Sequence, residues 1–570
     1  MDTNLTTFAE IEYKRPDFPK LKRDIKRHLR LLRHAQDYAE AKSRYHAMET
    51  LFGDAMTMGT VATIRNTLDT TDAFYDAEVK ALDRAQAMLM PLQKKLDKAL
   101  LGSRFRPDFI AEFGEQMFFL MEQELRLLSN KIIFDRIREA SLGNDYRKLA
   151  AGCKVSFMGE DCNFYGLLKH MESPDRDERK AAYLAWAKLY EGISVKLDAL
   201  YDKLIAVRLR MAKKLGLKDY IDMAYLDMGR SDYTREDVAA FREQVLRVIV
   251  PVVSRYKAQQ AKRIGVDTLR YYDESFIFPD GNADPVGGED VLVPIAQNMY
   301  RTLSEETGGF FDFMCEHKLF DLETRPGKHL GGYCTDLIAF RAPYIFSNFN
   351  GTAEDVGVLT HEAGHAFAGF TAAKHQPILN YISSSAEICE IHSMSMELFT
   401  TPWLADLFGK EQAEKARFTH LMETISVIPY LVSVDEFQHR VFENPTMTAQ
   451  ERRAVWRGIE RKYQPWRDYD GVPFLEEGGF WMQKQHVFLY PFYYIDYAIA
   501  QTCAFQFYGK MKQDRAAAWE QYLRLCKAGG SLGYNGLLAL AGLENPLHEG
   551  VVERAAAHVI AELDASPFGV

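Results

Sequence analysis

Apolar and small residues recur at steps of three and four along most of the chain, the pattern of amphipathic helices packed on a core. The first such run covers residues 19–51 and predicts one long helix. Similar runs cover residues 71–101 and 107–128. We therefore expect the first 150 residues to form long antiparallel helices, without ligand chemistry of their own.

Two helix starts are marked further along. Ser173 precedes Pro174, and Ser is a favoured cap while Pro is favoured at the first helical position. Thr234 is followed three residues later by Asp237, which has near capping-box form. Helices are expected to continue to about residue 261.

Strand-like or irregular sequence is expected only at about 269–291 and 320–351. The second stretch contains the run from Tyr344 to Phe349, bounded by Pro343 and Gly351, which is the best strand prediction in the chain. At the edge of a sheet such a strand could bind an extended peptide through its backbone. A buried core strand without a ligand role is an equally good interpretation, and both remain open.

Directly after this strand comes the pentapeptide from His361 to His365, which reads His-Glu-x-x-His. On a helix that begins around residues 353–355, the two imidazoles lie one turn apart on one face, where they can bind one metal ion. A zinc ion there would acidify a bound water, and Glu362 is placed to take its proton. The motif predicts metal-assisted hydrolysis.

Two His leave a catalytic zinc one protein ligand short. The segment 383–399 supplies candidates, since a helix there would align Glu387, Glu390 and Glu397 near one face. His392 lies on another side of that helix and is a weaker candidate. Many apolar neighbours indicate a buried helix, whose carboxylates need partners or a metal. The residues alone do not separate Glu387 from Glu390.

A second stretch with potential chemistry is aromatic. Tyr490, Tyr494 and Tyr497 follow at steps of four and three, with His486 one turn earlier, so one helix beginning near Pro491 would place the tyrosines on one face. Core packing explains many such stripes. However, neutral Tyr and His donors can also stabilise the negative charge that water attack builds on a peptide carbonyl oxygen. His486 and one of the tyrosines are therefore candidate oxyanion partners.

Composition narrows the class of protein. The 570 residues carry a formal net charge of −10, which argues against a nucleic-acid partner. The seven Cys are widely spread without a Cys-x-x-Cys pair, which argues against a disulfide framework or a thiolate zinc site. We find no signal-peptide pattern and no apolar run long enough to cross a membrane. A cytoplasmic protein without a membrane partner is expected.

The chain resembles the zinc oligopeptidases of the thimet oligopeptidase and oligoendopeptidase F type, and most closely the oligoendopeptidase F branch. The resemblance rests on four segments and covers roughly residues 170 to 570. These segments are His361-Glu-Ala-Gly-His365-Ala-Phe, Glu390-Ile-His-Ser, the stretch from His486 to Tyr497, and Leu532-Gly-Tyr-Asn-Gly-Leu-Leu-Ala-Leu-Ala-Gly542.

This resemblance implies a mostly α-helical fold in which two helical lobes flank a deep substrate channel, with a small β-sheet next to the zinc helix. It implies one Zn²⁺ per chain, with Glu390 as the third ligand beside the two motif histidines. It assigns His486 and Tyr497 to the scissile carbonyl, with Tyr490 and Tyr494 as neighbours that contact substrate. Glu397 is expected to hold a ligand His.

The sequence thus predicts a metalloendopeptidase that cuts short oligopeptides, with Glu362 as general base. We expect an N-terminal helical lobe at 1–170 and the catalytic region at 171–570. Asn348 in the strand and Gly332 before it are further predicted substrate contacts. A di-iron helical protein and a non-catalytic peptide-binding scaffold are the alternatives, and the first would need a second Glu-x-x-His, which the sequence lacks. The oligomeric state stays open.

Overall fold

The structure is a computed structural model that describes residues 5–329 and 331–569, apart from the side chains of residues 86–88. Within that part of the chain nearly all regular structure is helical, and the strands form one two-stranded and one three-stranded sheet. The predicted mostly α-helical fold with a small sheet is confirmed.

The helices are, in chain order, α1 (Phe18–Arg33), α2 (Tyr38–Leu68), α3 (Ala73–Leu101), α4 (Arg106–Phe113), α5 (Gln116–Leu127), α6 (Ile133–Ala151), α7 (Phe164–His170), α8 (Arg176–Leu215), α9 (Tyr220–Asp227), α10 (Arg235–Arg263), α11 (Glu289–Leu303), α12 (Glu305–Glu316), α13 (Glu354–His375), α14 (Ala386–Phe399), α15 (Leu404–Phe408), α16 (Ala413–Ser426), α17 (Ile428–Glu443), α18 (Ala449–Tyr463), α19 (Pro473–Glu476), α20 (Gln485–Leu489), α21 (Tyr494–Gln513), α22 (Arg515–Ala528), α23 (Tyr534–Leu540) and α24 (Val551–Ala565).

The strands are β1 (Val155–Phe157), β2 (Glu160–Cys162), β3 (Phe320–Glu323), β4 (Tyr333–Leu337) and β5 (Ala342–Phe349). β1 and β2 form an antiparallel hairpin. In the larger sheet β5 lies in the centre, parallel to β3 and antiparallel to β4. β4 is therefore an edge strand, paired on one side only.

The backbone divides into two compact units, each made of three stretches of the chain. The first unit comprises Met1–Leu128, Asp284–Ala413 and Lys510–Leu543, and the second comprises Ser129–Ala283, Glu414–Gly509 and Glu544–Val570. The boundary predicted at residue 170 lies inside the first stretch of the second unit. The division into 1–170 and 171–570 stays a prediction.

The first unit contains the larger sheet, α13 and α14. Its N-terminal helices bury one continuous apolar cluster, which includes Ile25, Met48, Leu100 and Phe109, each fully buried. Tyr381, in the turn between α13 and α14, joins the same cluster and donates its hydroxyl hydrogen to the Phe113 carbonyl oxygen at 2.8 Å. The N-terminal helices are thereby fixed to the segment that connects α13 with α14.

The second unit is built along α8, which packs against α6, α7 and α9. Buried arginines fix irregular segments to this framework. Arg208, on α8, donates to the Phe488 carbonyl oxygen at 2.6 Å and thus holds α20. Arg179, also on α8, pairs with fully buried Asp273 at 2.9 Å. Because such a pair loses its hydration on burial, it is stable only with its partners in place.

Three predictions about helix boundaries were wrong for local reasons. The run over residues 19–51 forms two helices, α1 and α2. The second helix starts afresh because the Asp37 side chain caps it by accepting a hydrogen bond from the Glu40 N–H. Gly114, at φ 83°, separates α4 from α5 within the run 107–128. Asp175 rather than Ser173 caps α8. The capping box of Thr234 is confirmed, and so is the helix predicted over residues 71–101, which begins at Ala73 in the structure.

The strand predicted around Tyr344 is present, but it occupies the centre of its sheet. The edge-strand interpretation of this run was therefore wrong, since both of its sides are already paired. The stretch 269–291 contains no strand among its described residues, and the β1–β2 hairpin was not predicted. β1 and β2 have three residues each, which is too short for an alternation of apolar and polar residues to identify them as strands.

In the described part of the chain, no helix combines the length and the apolarity that a membrane span requires.

Candidate metal centre and active site

The first unit presents the His-Glu-x-x-His motif on α13. The start of this helix is fixed by Asp355, whose carboxylate accepts hydrogen bonds from the backbone N–H groups of Asn350 and Gly351 at 3.0 and 2.8 Å. A carboxylate in the first turn also complements the helix dipole. The predicted face is confirmed, since the rings of His361 and His365 have centroids 4.9 Å apart.

Gly364, inside the motif, permits the close approach of α14. A Cβ atom at this position would lie 2.7 Å from the Cα of Ser393 and 2.8 Å from the carbonyl oxygen of His392. Any side chain there would force the helices apart. The glycine therefore determines which residues of α14 reach the histidines.

The residue that reaches them is Glu390. Its Oε2 atom lies 3.4 Å from Nε2 of His361 and 3.4 Å from Nε2 of His365. The three potential ligand atoms all lie within 4.8 Å of one another. Because two ligands at about 2.0–2.1 Å from a tetrahedral ion are about 3.4 Å apart, this donor set fits zinc.

A further carboxylate orients one of the histidines. Glu397, two turns after Glu390 on α14, accepts a hydrogen bond from Nδ1 of His361 at 2.7 Å. Burial alone would lower the pKa of His361, but its hydrogen bonds with Glu390 and Glu397 outweigh that effect and raise it well above the usual value. The contact directs Nε2 of His361 towards Glu390, as a metal-ligating His requires.

Glu390 and Glu362 differ in their electrostatic surroundings. Burial opposes the ionisation of Glu390, yet its hydrogen bonds with His361 and His365 hold its pKa well below the usual value. Glu362 is 9% exposed, and burial raises its pKa although the two histidines oppose this. A carboxylate with a raised pKa is the better proton acceptor, which suits a general base.

The other candidates on α14 do not join the ligand group. Glu387 is buried, 1% exposed, and lies outside the group of converging atoms. His392 is also buried, and burial lowers its pKa to about 3. Its carbonyl oxygen accepts a hydrogen bond from the Tyr522 hydroxyl at 2.9 Å, which ties α14 to α22.

The glycine segment before β4 lies next to the motif helix. A Cβ atom on Gly332 would be 3.8 Å from Oε1 of Glu362. Asn348 holds this segment, because its side-chain amide donates to the carbonyl oxygens of His329 and Gly331 at 2.9 and 2.7 Å. Asn348 thus positions the segment, and direct substrate contacts by Asn348 and Gly332 stay predictions.

In the second unit the structure brings His486 and the predicted tyrosines into one aromatic cluster. The His486 ring centroid lies 5.7 Å from that of Tyr490, 4.8 Å from that of Tyr494 and 6.3 Å from that of Tyr497. Tyr490 is 48% exposed, whereas Tyr494 is 8% exposed. Tyr490 is thus the more accessible of the two to a ligand, and substrate contacts by both tyrosines stay predictions.

The prediction of one helix through this stretch was wrong. The chain leaves α20 after Leu489 and begins α21 at Tyr494, and Phe492 between them has a positive φ of 65°. Its N–H donates to the side-chain oxygen of Gln438 at 2.9 Å, and its carbonyl oxygen accepts from Arg230. Arg230 also pairs with Asp496 at 2.6 Å, with both side chains fully buried. These distant partners hold the turn.

Sequence reasoning missed Tyr493. Its ring stacks on His486 with a centroid distance of 6.0 Å and contacts Tyr497 at 5.2 Å. Tyr493 follows His486 by seven residues and precedes Tyr497 by four, so it also fits one helical face. That spacing was a signal available in the sequence.

A second group of potential ligands lies in the second unit. One atom from each of Glu160, Cys162 and His170 falls within 4.8 Å of the others. However, Nδ1 of His170 already pairs with Glu178 at 2.6 Å, and burial raises the pKa of the Cys162 thiol. A raised thiol pKa disfavours the thiolate that binds metal. The His361 group is the better metal site.

The sequence matches two family descriptions. Residues 8–128 match the Peptidase M3 N-terminal domain, and residues 169–279 and 307–557 match Peptidase family M3. Among individual proteins, the Oligoendopeptidase F homolog of Lactococcus lactis subsp. lactis IL1403 is 24% identical over 380 residues, which are 66% of this chain and 61% of that protein. Oligopeptidase PepF of Bacillus subtilis 168 is 22% identical over 477 residues, which are 76% and 68% of the two chains. The match thus spans about three fifths of the first relative's length.

Solved structures extend the likeness to nearly the whole chain. Pz peptidase A, determined with an inhibitor, has a TM-score of 0.94 and 42% identity over 99% of this chain and 100% of its own. A structure described as oligoendopeptidase F from Bacillus anthracis Ames has a TM-score of 0.89 and 41% identity over 99% of both chains. The chain belongs to peptidase family M3, in its oligoendopeptidase F branch.

Proposed function

We propose that this protein is a zinc-dependent endopeptidase that hydrolyses internal bonds of short oligopeptides. The observation that carries the proposal is the convergence of His361, His365 and Glu390 with buried Glu362 beside them. Membership of peptidase family M3 supports a metal and a peptide substrate. One zinc per chain is expected, because the second ligand group is the poorer donor set.

The proposed roles follow from the chemistry of each side chain. When bound, zinc lowers the pKa of a water molecule and polarises the scissile carbonyl. Glu362 accepts a proton from the attacking water and then donates it to the leaving amine. We assign to Tyr497 and His486 the stabilisation of the negative charge that develops on the carbonyl oxygen.

The substrate is proposed to bind in extended form along β4. This strand is paired on one side only, so its other edge can form backbone hydrogen bonds with a peptide. Gly332, directly before β4, lies beside Glu362, and the absence of a side chain leaves room for the scissile bond. Tyr490 and Tyr494 are proposed as further substrate contacts.

We also propose that the protein acts in the cytoplasm, on peptides rather than on nucleic acid or at a membrane. None of the seven cysteines, which all lie in the described part of the chain, forms a disulfide, as expected in a reducing compartment. Selection for short peptides is the expectation that the family resemblance provides.

Mass spectrometry of the products from a defined peptide mixture, with and without a chelator, tests the function. We expect internal cleavage of short peptides that stops with chelator and returns with zinc, while folded proteins stay intact. A metal assay that gives two irons per chain would favour the di-iron alternative. Absence of cleavage with no bound metal after gentle purification would favour the scaffold.

The substitution Glu362→Gln tests the mechanism separately. It keeps the shape of the side chain but removes the proton acceptor, so turnover should fall by roughly 10²–10⁴-fold. Bound zinc should stay at the wild-type level. Cleavage by this variant at the wild-type rate would disprove the role of Glu362.

A further inference from the structure

The first unit contains a cavity of about 810 Å³, which the proposed chemistry does not use. Its walls come from α2, α3, α5 and β4, and many lining residues are apolar, among them Phe52, Met56, Leu89 and Met121. The volume lies within the usual range of ligand sites.

The cavity follows the unpaired side of β4. Tyr333, Cys334 and Thr335 are consecutive residues of this strand, and all three line the cavity. Side chains alternate between the two faces of a strand, so three consecutive lining residues indicate that the cavity runs along the strand's edge. Since Gly332 lies beside Glu362, the cavity begins about one residue from the proposed general base.

The charged residues of this cavity are of one sign. Among its described lining residues three are acidic, namely Glu49, Asp83 and Glu124, and none is Lys, Arg or His. Glu49 is held in place, because its Oε1 atom accepts hydrogen bonds from the Tyr45 hydroxyl and the Leu379 N–H. Its Oε2 atom pairs with Nδ1 of His46 at 2.8 Å, whereas in the described part of the chain no basic side chain pairs with Asp83 or Glu124, which are both exposed.

A fourth carboxyl group lies directly behind this wall. Asp97 is fully buried, and its Oδ1 atom accepts a hydrogen bond at 3.0 Å from the side chain of Gln93, which itself lines the cavity. The other oxygen, Oδ2, has no hydrogen-bond partner among the described residues. Burial, and then the charge of Glu124, raise the pKa of Asp97 to about 7. A positive charge in the cavity would favour the ionised form of Asp97 and of its neighbour Glu124.

We propose that the cavity binds the side chain of an Arg or Lys residue of the peptide that pairs with β4. The aliphatic stem of such a side chain would pack on the apolar walls, and its charged end would reach Glu124 and Asp83. A metal ion is a poorer occupant, because these carboxylates do not converge as the His361 group does. This inference rests on the proposed peptidase function and adds a preference among its substrates.

The test compares fluorogenic peptides with blocked N-termini that differ in one residue, which is Arg, norleucine or Glu. This residue is placed in turn at each of the three positions on either side of the cleaved bond. An extended peptide advances about 3.3 Å per residue, so only one or two of these positions can face the cavity. We expect kcat/KM to favour Arg over norleucine, and norleucine over Glu, at one or two positions on one side only. Equal cleavage of all three peptides at every position would overturn the inference, whereas failure to cleave any of them would contradict the proposed function instead.

Variants of the wall identify the cavity as the source of the preference. Glu124→Gln should reduce the Arg preference by up to roughly fivefold, as for one exposed charge pair, and Glu124→Lys should shift the preference towards Glu. Glu122→Gln is the matched control on the same helix, since Glu122 is exposed like Glu124 but pairs with Arg106 and does not line the cavity. An unchanged Arg preference in Glu124→Lys would disprove the site.

Peptides with a free N-terminus distinguish the second source of positive charge. If the preference exists only for peptides whose N-terminal amine falls at the cavity, the occupant is that amine. The assignment to a basic side chain would then be wrong.

Discussion

The Nδ1 atom of His361 lies 2.7 Å from Oε1 of Glu397, a residue 36 positions later on the neighbouring helix. Replacing Glu397 by Gln removes the charge that orients this imidazole. Replacing it by Ala removes the contact itself. We expect Glu397→Ala to weaken zinc binding by roughly 10–100-fold, with a smaller loss in Glu397→Gln. Competition with a chelating dye measures this affinity.

Glu397→Asp is the control for position, because it keeps the charge on a shorter side chain. It should restore part of the zinc affinity lost in Glu397→Ala. Wild-type affinity in all three variants would show that Glu397 has no part in orienting the ligand.

Gly364 provides a test of helix packing at the metal centre. A methyl group at this position meets the backbone of α14 at 2.7–2.8 Å, so Gly364→Ala should move Glu390 away from the histidines. We expect a loss of about 1–3 kcal/mol in the free energy of unfolding, together with weaker zinc binding. Urea unfolding and metal titration measure the two effects.

The matched control is Gly357→Ala on the same helix. A Cβ atom at Gly357 meets nothing within 4 Å. Ala stabilises a helix interior by about 0.5–1 kcal/mol relative to Gly, so this variant should be neutral or more stable. Equal behaviour of the two variants would refute the packing argument.

The proposed oxyanion donor is tested by Tyr497→Phe, which removes only a hydroxyl group. Loss of one such donor typically lowers kcat by roughly 10²–10³-fold, and zinc content and KM should change little. His486→Gln is expected to act in the same direction. Steady-state kinetics with one short peptide gives these values.

Tyr490→Phe is the comparison, since Tyr490 belongs to the same cluster but is proposed only to contact substrate. Its effect should appear mainly in KM. If Tyr497→Phe changed KM alone, Tyr497 would be a binding residue and the oxyanion assignment would be wrong.

His439 gives the second unit a predictable response to acid. Burial lowers the pKa of His439 to about 4. The charge of Asp435 opposes this shift, and the nearby arginines add to it. The unfolded chain binds this proton at about pH 6.5, so the free energy of unfolding should fall as pH drops from 6.5 towards 4, by up to about 3 kcal/mol. Above pH 6.5 this group should contribute no pH dependence.

Denaturant unfolding at pH 7.5 and 4.5 measures the effect. The loss of stability between these pH values should be smaller in His439→Gln than in the wild type. His548→Gln, at an exposed position, should behave like the wild type. An equal loss in all three proteins would contradict the assignment to His439.

Local sequence was sufficient for much of the helical fold. The three-and-four periodicity located α3 and the extent of the helical regions, and the capping box located the start of α10. The His-Glu-x-x-His spacing placed both imidazoles on one helical face. These features depend on residues within one or two turns of each other, and a single sequence contains that information.

Features that depend on distant partners were decided only by tertiary structure. The residues of α14 offered Glu387 and Glu390 equally, and the close approach of helices at Gly364 brings Glu390 to the histidines. Sheet order placed β5 in the centre and left β3 and β4 at the edges. Arg230 and Gln438, far away in sequence, break the predicted helix at Phe492.

The sequence by itself determined the motif, the helical periodicity and the types of ligand, because these follow from spacing along the chain. Only the tertiary structure decided which carboxylate meets the histidines, which strand has a free edge and where the acidic cavity lies. Each of these depends on contacts between segments whose separation in sequence carries no signal of their proximity in space.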